Sequence, residues 1–200
     1  AIEWGWDGAN PSLGIKKFRE KARDRFLQSD ELQRFHAALA QEKNETARDY
    51  IVMSLLTGAR KSNVLAMRWE EVNWQRAEWR ITQTKNGEPV TVPLLPAAME
   101  ILERRRKGTN AVWVFPSERT TGHYADPKKA WGRLLEASGI EDLRIHDIRR
   151  TLGSYQAITG ASLSIIGKSL GHKSQAATAI YSRLDLDPVR QSLTRATEVI

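Results

Sequence analysis

Five side chains in this sequence have the chemistry needed to attack a phosphodiester. They are two arginines, two histidines and one tyrosine: Arg60, His146, Arg149, His172 and Tyr181. Guanidinium groups bind an anionic phosphate, imidazoles transfer protons, and a phenol can serve as the nucleophile. None of these roles needs a metal ion, so the set predicts a reaction at phosphorus that uses no metal and no other cofactor.

Each of these residues, taken alone, also has a purely structural interpretation. A tyrosine near the end of a helix is usually a packing residue, and an arginine after a glycine often caps a helix C-terminus. A histidine and an arginine three positions apart usually lie on a solvated helix face. The context favours chemistry, because four segments occur in a fixed order along the chain: TGAR (57–60), HDIRRT (146–151), LGH (170–172) and IYSR (180–183).

These segments, in this order, resemble the motifs of the tyrosine recombinase (phage integrase) family. The resemblance extends from Leu27 to Asp185. It implies the catalytic fold of the DNA breaking-rejoining enzymes and the activity of a site-specific DNA recombinase, the integrase of a phage, prophage or genomic island. Such an enzyme cuts and rejoins DNA through a 3′-phosphotyrosine intermediate without metal ions or ATP.

The tyrosine and the two arginines match the central parts of that reaction. Tyr181 is the expected nucleophile; an unperturbed phenol has a pKa near ~10, and neighbouring arginines favour the phenolate. Arg60 and Arg149 are expected to hold the nonbridging oxygens in a fork geometry that a lysine cannot copy. Their charges would neutralise the transition state.

The resemblance also implies roles for a lysine and for the two histidines. A lysine of a β-hairpin reaches the leaving 5′ oxygen in the family; this role is carried to Lys85, with Arg80 as the weaker candidate, and the alternative is a solvated turn lysine. His146 would transfer protons, and His172 would hydrogen-bond the phosphate. One position departs from many relatives, which have an acidic residue where this chain has the uncharged Asn63.

The composition agrees with a negatively charged partner and excludes several kinds of site. Lysine and arginine total 31 against 24 acidic residues, giving +7 and a pI near 9.8. This fits nucleic-acid binding without requiring it. The chain has no cysteine, its four histidines are scattered rather than spaced as ligands, and no signal peptide opens it. No apolar run approaches the ~18 residues of a membrane span. We therefore expect a reducing cytoplasm, and the resemblance implies a bacterial host and association with the nucleoid.

The first part of the chain is typical of a linker. It begins without Met, and six of the ten positions from Lys16 to Arg25 are Lys or Arg. Such a run is most often a solvated linker, and on a DNA-binding protein it can lie along phosphates. The resemblance implies that residues 1–27 are the end of an interdomain linker and residues 28–200 the catalytic domain. It also implies that the N-terminal DNA-binding domain of relatives is absent from this chain.

The remaining pattern predicts an α+β fold, mainly helical, with a small three-stranded antiparallel sheet. Alternating residues at 78–82 and 90–92 flank the Asn86-Gly87 pair, which is the strongest short-range signal for a hairpin. An earlier strand is predicted at Met67–Val72. Lys85 stands directly before the turn, so its ammonium can project from the hairpin tip.

Signals for helix ends place the first arginine in a turn. Gly58 suits the left-handed position after a helix that begins near Thr46. Ser62 offers an N-cap for a short helix that follows. Arg60 is therefore expected between a helix end and a helix beginning, where free N–H groups favour an anion.

A helix that begins near His146 carries the second arginine. At about 100° per residue, His146, Arg149 and Arg150 share one face of this helix, and Gly160 is expected to end it. The next helix would run from the Ser162 cap to Gly171, which places His172 in a turn.

The nucleophile is predicted on a helix of its own. Ser174 is expected to cap the helix that carries Tyr181. Whether the histidines and the tyrosine meet in one pocket is a question that the sequence leaves open.

Two further predictions concern partners. Arg150, Lys128 and Lys129 are predicted to contact double-stranded DNA of the attachment site, although a solvated face is an equal alternative for the lysines. Residues 188–200 predict a helix with one apolar stripe. This helix either folds back on its own domain or, as in relatives, docks on a neighbouring subunit of a homotetramer on DNA. Without DNA we expect mostly monomer.

Two alternative functions remain. A type IB topoisomerase-like enzyme shares a similar residue set but relaxes supercoils without joining two sites. A DNA-binding module with a non-catalytic site belongs to a different class. The complete residue set disfavours the binding module, and the HDIRRT and LGH segments favour the recombinase over the topoisomerase.

Overall fold

Helices form most of the computed structural model, which describes residues 8, 14, 15, 18, 23–84, 87–182 and 187–198. The helices of this part are α1 (Ser29–Ala40), α2 (Glu45–Thr57), α3 (Lys61–Leu65), α4 (Pro96–Arg106), α5 (Lys128–Ser138), α6 (Asp147–Ile158), α7 (Leu163–Leu170), α8 (Gln175–Thr178) and α9 (Asp187–Thr197). Its strands are β1 (Val72–Asn73), β2 (Glu78–Ile81) and β3 (Val90–Pro93), which form one antiparallel sheet in the order β1-β2-β3. The predicted mainly helical α+β fold is confirmed.

The first two helices begin where side chains satisfy free N–H groups of the first turn. α1 begins after Gln28, in a capping box with Glu31. α2 begins after Asn44, whose side chain accepts a hydrogen bond from the Ala47 backbone at 2.8 Å, rather than at Thr46. The prediction for its end is confirmed, because Gly58 has a φ of 58°.

The sheet is smaller than its sequence pattern suggested. The predicted strand at Met67–Val72 is wrong, since only its last residue belongs to β1. Arg68 instead bridges Trp113, and a 3₁₀ helix spans Trp69–Glu71. The hairpin of β2 and β3 pairs Trp79 with Val92; Lys85 and Asn86 at its turn lie outside the described residues.

Two hydrophobic clusters hold the fold together. The main cluster surrounds the fully buried Trp79, Tyr50 and Phe35, and α2 crosses it to pack against both α4 and α6. The second, smaller cluster is built by α6, α7 and the segment that follows them, with these buried members: Ala157, Ile166, Leu170 and Tyr181. The predicted nucleophile therefore belongs to the smaller cluster.

None of the helices in the described part is long and apolar enough to cross a membrane.

Candidate active site

Arg60 lies where α2 ends and α3 begins, as predicted. Gly58 turns the chain in the left-handed region, and side chains of Leu170 and Leu152 press against it, so that no Cβ would fit there. The predicted Ser62 cap is wrong, because α3 begins at Lys61 and Arg60 itself occupies the cap position. The turn holds the half-buried Arg60 beside the end of α7.

Arg149 is the most deeply buried cation of the site. It projects from the first turn of α6, and only 7% of the residue is exposed. Its Nη1 donates a hydrogen bond to the Gly58 carbonyl at 2.6 Å, and its Nη2 donates one to the Leu170 carbonyl. These carbonyls end α2 and α7, where a cation is favourable. Burial, together with the charge of Arg60, lowers the pKa of Arg149 to about 10, so it stays charged at neutral pH.

His172 follows the left-handed Gly171 that ends α7, as predicted. Its Nδ1 lies 2.9 Å from the Thr178 hydroxyl. Burial and the charges of Arg149 and Arg60 lower the pKa of His172 to about 4, so the imidazole is neutral at neutral pH. When the Thr178 hydroxyl donates to Nδ1, the other ring nitrogen carries its proton and can donate to an anion.

Tyr181 packs beside both His172 and α6. Its ring stacks on the His172 imidazole, with centroids 6.5 Å apart and planes 9° from parallel. A Cβ added to Gly153 would lie only 2.6 Å from the Cζ of Tyr181, so the ring rests directly against this glycine. The residue is only 3% exposed, and this burial raises its pKa although the charges of Arg149 and Arg150 act to lower it. In this arrangement the phenol is protonated and shielded from solvent.

The element that carries Tyr181 differs from the prediction. Ser174 caps α8 as expected, and its side chain accepts from the Ala177 backbone at 3.3 Å. However, α8 ends at Thr178, and Tyr181 lies on a 3₁₀ helix from Ala179. The tighter winding turns the ring towards α6.

His146 lies at the start of α6, on the same helix as Arg149. It occupies the cap position in a helical conformation, and the residue is exposed. Desolvation of the ring and the charges of Arg149 and Arg150 lower its pKa. A neutral imidazole at this position can accept a proton. The helix ends at Ile158 with Thr159 as its cap, slightly before the predicted Gly160.

An open depression of about 400 Å³ lies beside Arg60 and His172. Lys173 also lines it, and Thr84 and Glu88 line it from the hairpin side. Lys85, the predicted acid for the leaving oxygen, stands between these two hairpin residues in the sequence and is outside the described residues. Its role stays a prediction.

The predicted DNA contacts are not all near this site. Arg150 is close, and its Nη1 lies 3.2 Å from Asp147 in an ion pair. Lys128 and Lys129 are exposed at the beginning of α5. Lys129 lines a separate depression with Thr46, at the start of α2. That end of α2 is about 20 Å from the site, given 13 residues at a rise of ~1.5 Å each.

Two residues important to the site were not singled out from the sequence. Asp147 is a buried carboxylate directly after His146, and Gly153 makes room for the tyrosine ring. A carboxylate inside the HDIRRT segment and a glycine inside a helix, four residues after Arg149, were the available signals. Asn63 lines a small cavity together with Arg60 and Arg149.

Comparisons with known proteins agree with the motifs. The model of the phage integrase family matches residues 25–187. A prophage integrase of Escherichia coli is 29% identical over 174 residues, which make up 84% of this chain and 37% of that protein. This chain thus spans well under half of that relative's length.

Two solved structures share the fold. The catalytic domain of bacteriophage HP1 integrase matches with a TM-score of 0.65 and 20% identity, covering 84% of this chain and 93% of that one. The Tn1549 transposon integrase in complex with transposon right end DNA matches with a TM-score of 0.73 and 15% identity, covering 98% and 74%. The family and fold predictions are confirmed.

Proposed function

This chain belongs to the phage integrase family, and on that basis we propose that it catalyses site-specific DNA recombination through a 3′-phosphotyrosine intermediate. The carrying observation is that Arg60 lines one cavity with Arg149 and an open depression with His172, whose ring stacks on that of Tyr181. Two cations, a neutral imidazole and a phenol are the groups that phosphoryl transfer without a metal requires.

The reaction would begin with a DNA phosphate in the depression beside Arg60 and His172. Arg149 is held in place by the carbonyls of Gly58 and Leu170, so its charge needs no reorganisation when the transition state forms. Arg60 would complete the pair of cations, and His172 would donate a hydrogen bond to a nonbridging oxygen.

The covalent step exchanges one phosphoester bond for another. The Tyr181 oxygen attacks phosphorus and forms a P–O bond while the bond to the 5′ oxygen breaks. His146 accepts the phenolic proton, and Lys85 gives a proton to the departing 5′ oxygen. Because the ester is retained, a second 5′ hydroxyl can reverse the step without ATP.

The nucleophile must move before it reacts. With 3% exposure and a raised pKa, Tyr181 rests against Gly153 in a protonated form. We propose that DNA binding draws the ring out of this position. The negative phosphate would then lie between the phenol and the two arginines.

A nicked suicide duplex that traps the covalent intermediate tests the function. We expect a protein–DNA adduct that persists in EDTA, depends on one DNA sequence and is lost in Tyr181→Phe. An adduct formed equally on any duplex would indicate a type IB topoisomerase-like enzyme. No adduct, in a full-length protein that still binds DNA, would indicate a non-catalytic DNA-binding module.

The proposal extends to the setting and the assembly. We propose that residues 1–27 end a linker from an N-terminal DNA-binding domain, and that the enzyme acts on nucleoid DNA in a bacterial cytoplasm. Four copies would assemble on two duplexes through the segment 188–200. The support is the amphipathic pattern of this segment and the exposure of Leu193 on α9, which is 62%.

A further inference from the structure

The segment Arg23–Leu27, here called the entry segment, contacts α6 at three successive turns. Arg23 donates from Nε and Nη2 to the Asp147 carboxylate at 3.0 and 2.8 Å. The Leu27 backbone donates to the Thr151 hydroxyl at 3.1 Å. The Phe26 ring meets the Tyr155 ring edge to face at 6.3 Å. The entry segment thus lies along α6 before the chain enters α1.

The three contacted residues form one stripe of the helix. Asp147, Thr151 and Tyr155 recur at intervals of four, so they lie within a sector of about 80°. This set is called the docking stripe below. Arg149 and Gly153 lie on the opposite side of α6, about 160° from the centre of the stripe. One helix therefore carries the entry segment on one face and the catalytic groups on the other.

Asp147 is the most buried member of the stripe, with 1% exposure. Besides Arg23, it accepts from Arg150 Nη1 at 3.2 Å and from the Arg144 backbone at 2.9 Å. The Arg144 contact fixes the turn that leads into His146. Removing a cation partner leaves the buried carboxylate without compensation for its lost hydration, which is strongly unfavourable. The Arg23–Asp147 contact therefore resists displacement.

We infer that Arg23 is a positioning residue, which binds Asp147 and thereby fixes the rotation of α6 and the placement of His146 and Arg149 at the phosphate. The inference rests on the proposed function and adds a residue to it. A displacement of the entry segment would be transmitted to α6 through the Arg23–Asp147 contact. Arg23 itself does not touch the reacting atoms.

Arg25 provides a matched control in the same segment. Its side chain is 21% exposed, as is that of Arg23, and it also forms an ion pair. Its carboxylate partner is Glu31 of α1, at 2.7 Å from Nη1. Replacing Arg25 removes an arginine and an ion pair from the entry segment but leaves the docking stripe intact.

The test compares Arg23→Gln, Arg25→Gln, Asp147→Asn and the Arg23→Gln/Asp147→Asn double variant in the full chain. At saturating suicide duplex, we expect the first and third to form adduct about tenfold more slowly, because small misplacements of catalytic groups are costly. DNA affinity should be unchanged. Arg23 also pairs through Nη1 with the exposed Asp142 carboxylate at 3.0 Å. The double variant should therefore be only slightly slower than Asp147→Asn, because the Arg23–Asp147 contact is lost only once. Arg25→Gln should match the wild type.

The titration of His146, followed by NMR, gives a readout that needs no catalysis. Desolvation of the ring and then the charges of Arg149 and Arg150 lower the pKa of His146, and the charge of Asp147 raises it. Asp147→Asn should therefore lower that pKa further. Arg23→Gln removes one of the two cations that pair with Asp147, so the carboxylate acts more strongly on His146 and should raise its pKa. Arg25→Gln should leave the pKa of His146 unchanged.

These two readouts separate the inference from the proposed function. If the wild type forms no adduct, the proposed function fails and the His146 titration still decides the inference. The inference is overturned if Arg23→Gln and Arg25→Gln change cleavage or the His146 titration equally. It is also overturned if the effect of Arg23→Gln appears in DNA affinity alone, which would indicate a direct phosphate contact.

Discussion

The Arg149 guanidinium joins the stability of the fold to the chemistry of the site. Two of its N–H groups close the ends of α2 and α7 through the carbonyls of Gly58 and Leu170. An ammonium at this position would carry the charge but could not reach both carbonyls in one plane. The cation is therefore fixed by the same bonds that hold two helices together, and its charge would be in place before the proposed DNA substrate binds.

The lowered pKa of His172 predicts a specific dependence of stability on pH. A histidine in the unfolded chain titrates near ~6.5, whereas the pKa of His172 in the folded chain is about 4. Between these values the unfolded state binds a proton that the folded state does not. Stability should therefore fall as the pH falls through this window. His172→Asn removes this titration, so its deficit in melting temperature relative to the wild type should shrink as the solution is acidified.

Thermal melts across this pH range provide the measurement. The control is His36→Asn, which replaces an exposed histidine of α1 and should melt in parallel with the wild type. A His172→Asn deficit that stays constant from neutral to acidic pH would show that the imidazole is not held neutral by its surroundings.

At the scale of elements, α6 accommodates the nucleophile by lacking one side chain. A Cβ on Gly153 would lie 2.6 Å from Cζ and 2.8 Å from the hydroxyl oxygen of Tyr181. Gly153→Ala should force the ring out of its resting position, lower the Tyr181 pKa as burial is lost, and destabilise the fold by about 1–3 kcal/mol. Denaturant melts and an ultraviolet titration of the phenol measure these effects.

Gly132 of α5 is the matched control for that substitution. It is also a glycine inside a helix, and a Cβ there would meet nothing within 4 Å. Gly132→Ala should stabilise the protein by up to about 1 kcal/mol through helix propensity. Equal stability changes in the two variants would mean that Tyr181 does not rest on Gly153.

Local signals predicted the elements of the site better than they predicted its long-range contacts. Gly58 and Gly171 were recognised as helix ends because a left-handed φ favours glycine. This preference can be identified from a few neighbouring residues in the sequence. The 3₁₀ winding before Tyr181 was not predicted, since it depends on packing against α6. The Arg23 contact joins positions 124 residues apart, and no local pattern contains that information.

At the scale of the whole molecule, the proposed nucleophile is separated from the main core. Tyr181 belongs to the small cluster with Ala157, Ile166 and Leu170, whereas Trp79 and Phe35 lie in the large one. Movement of the tyrosine would loosen the small cluster and leave the main core packed. Arg149 spans the boundary, because its two carbonyl partners belong to helices on either side. The fold thus allows the proposed nucleophile to move while the proposed phosphate-binding cation stays fixed.

The C-terminal helix α9 is where assembly on DNA can be tested. Leu193 lies on its predicted apolar stripe and is 62% exposed, and Thr194 beside it is also exposed. Leu193→Glu should weaken assembly of four copies on paired duplexes by at least about tenfold, because burying a leucine is worth about 1.5–3 kcal/mol. Thr194→Glu adds the same charge off the stripe and should assemble normally. Both variants should form adduct on a single half-site.

Sedimentation of the protein–DNA complexes measures assembly. An equal loss of assembly in both variants would attribute the effect to the added charge. A loss of thermal stability in Leu193→Glu alone would show that the stripe packs on its own domain.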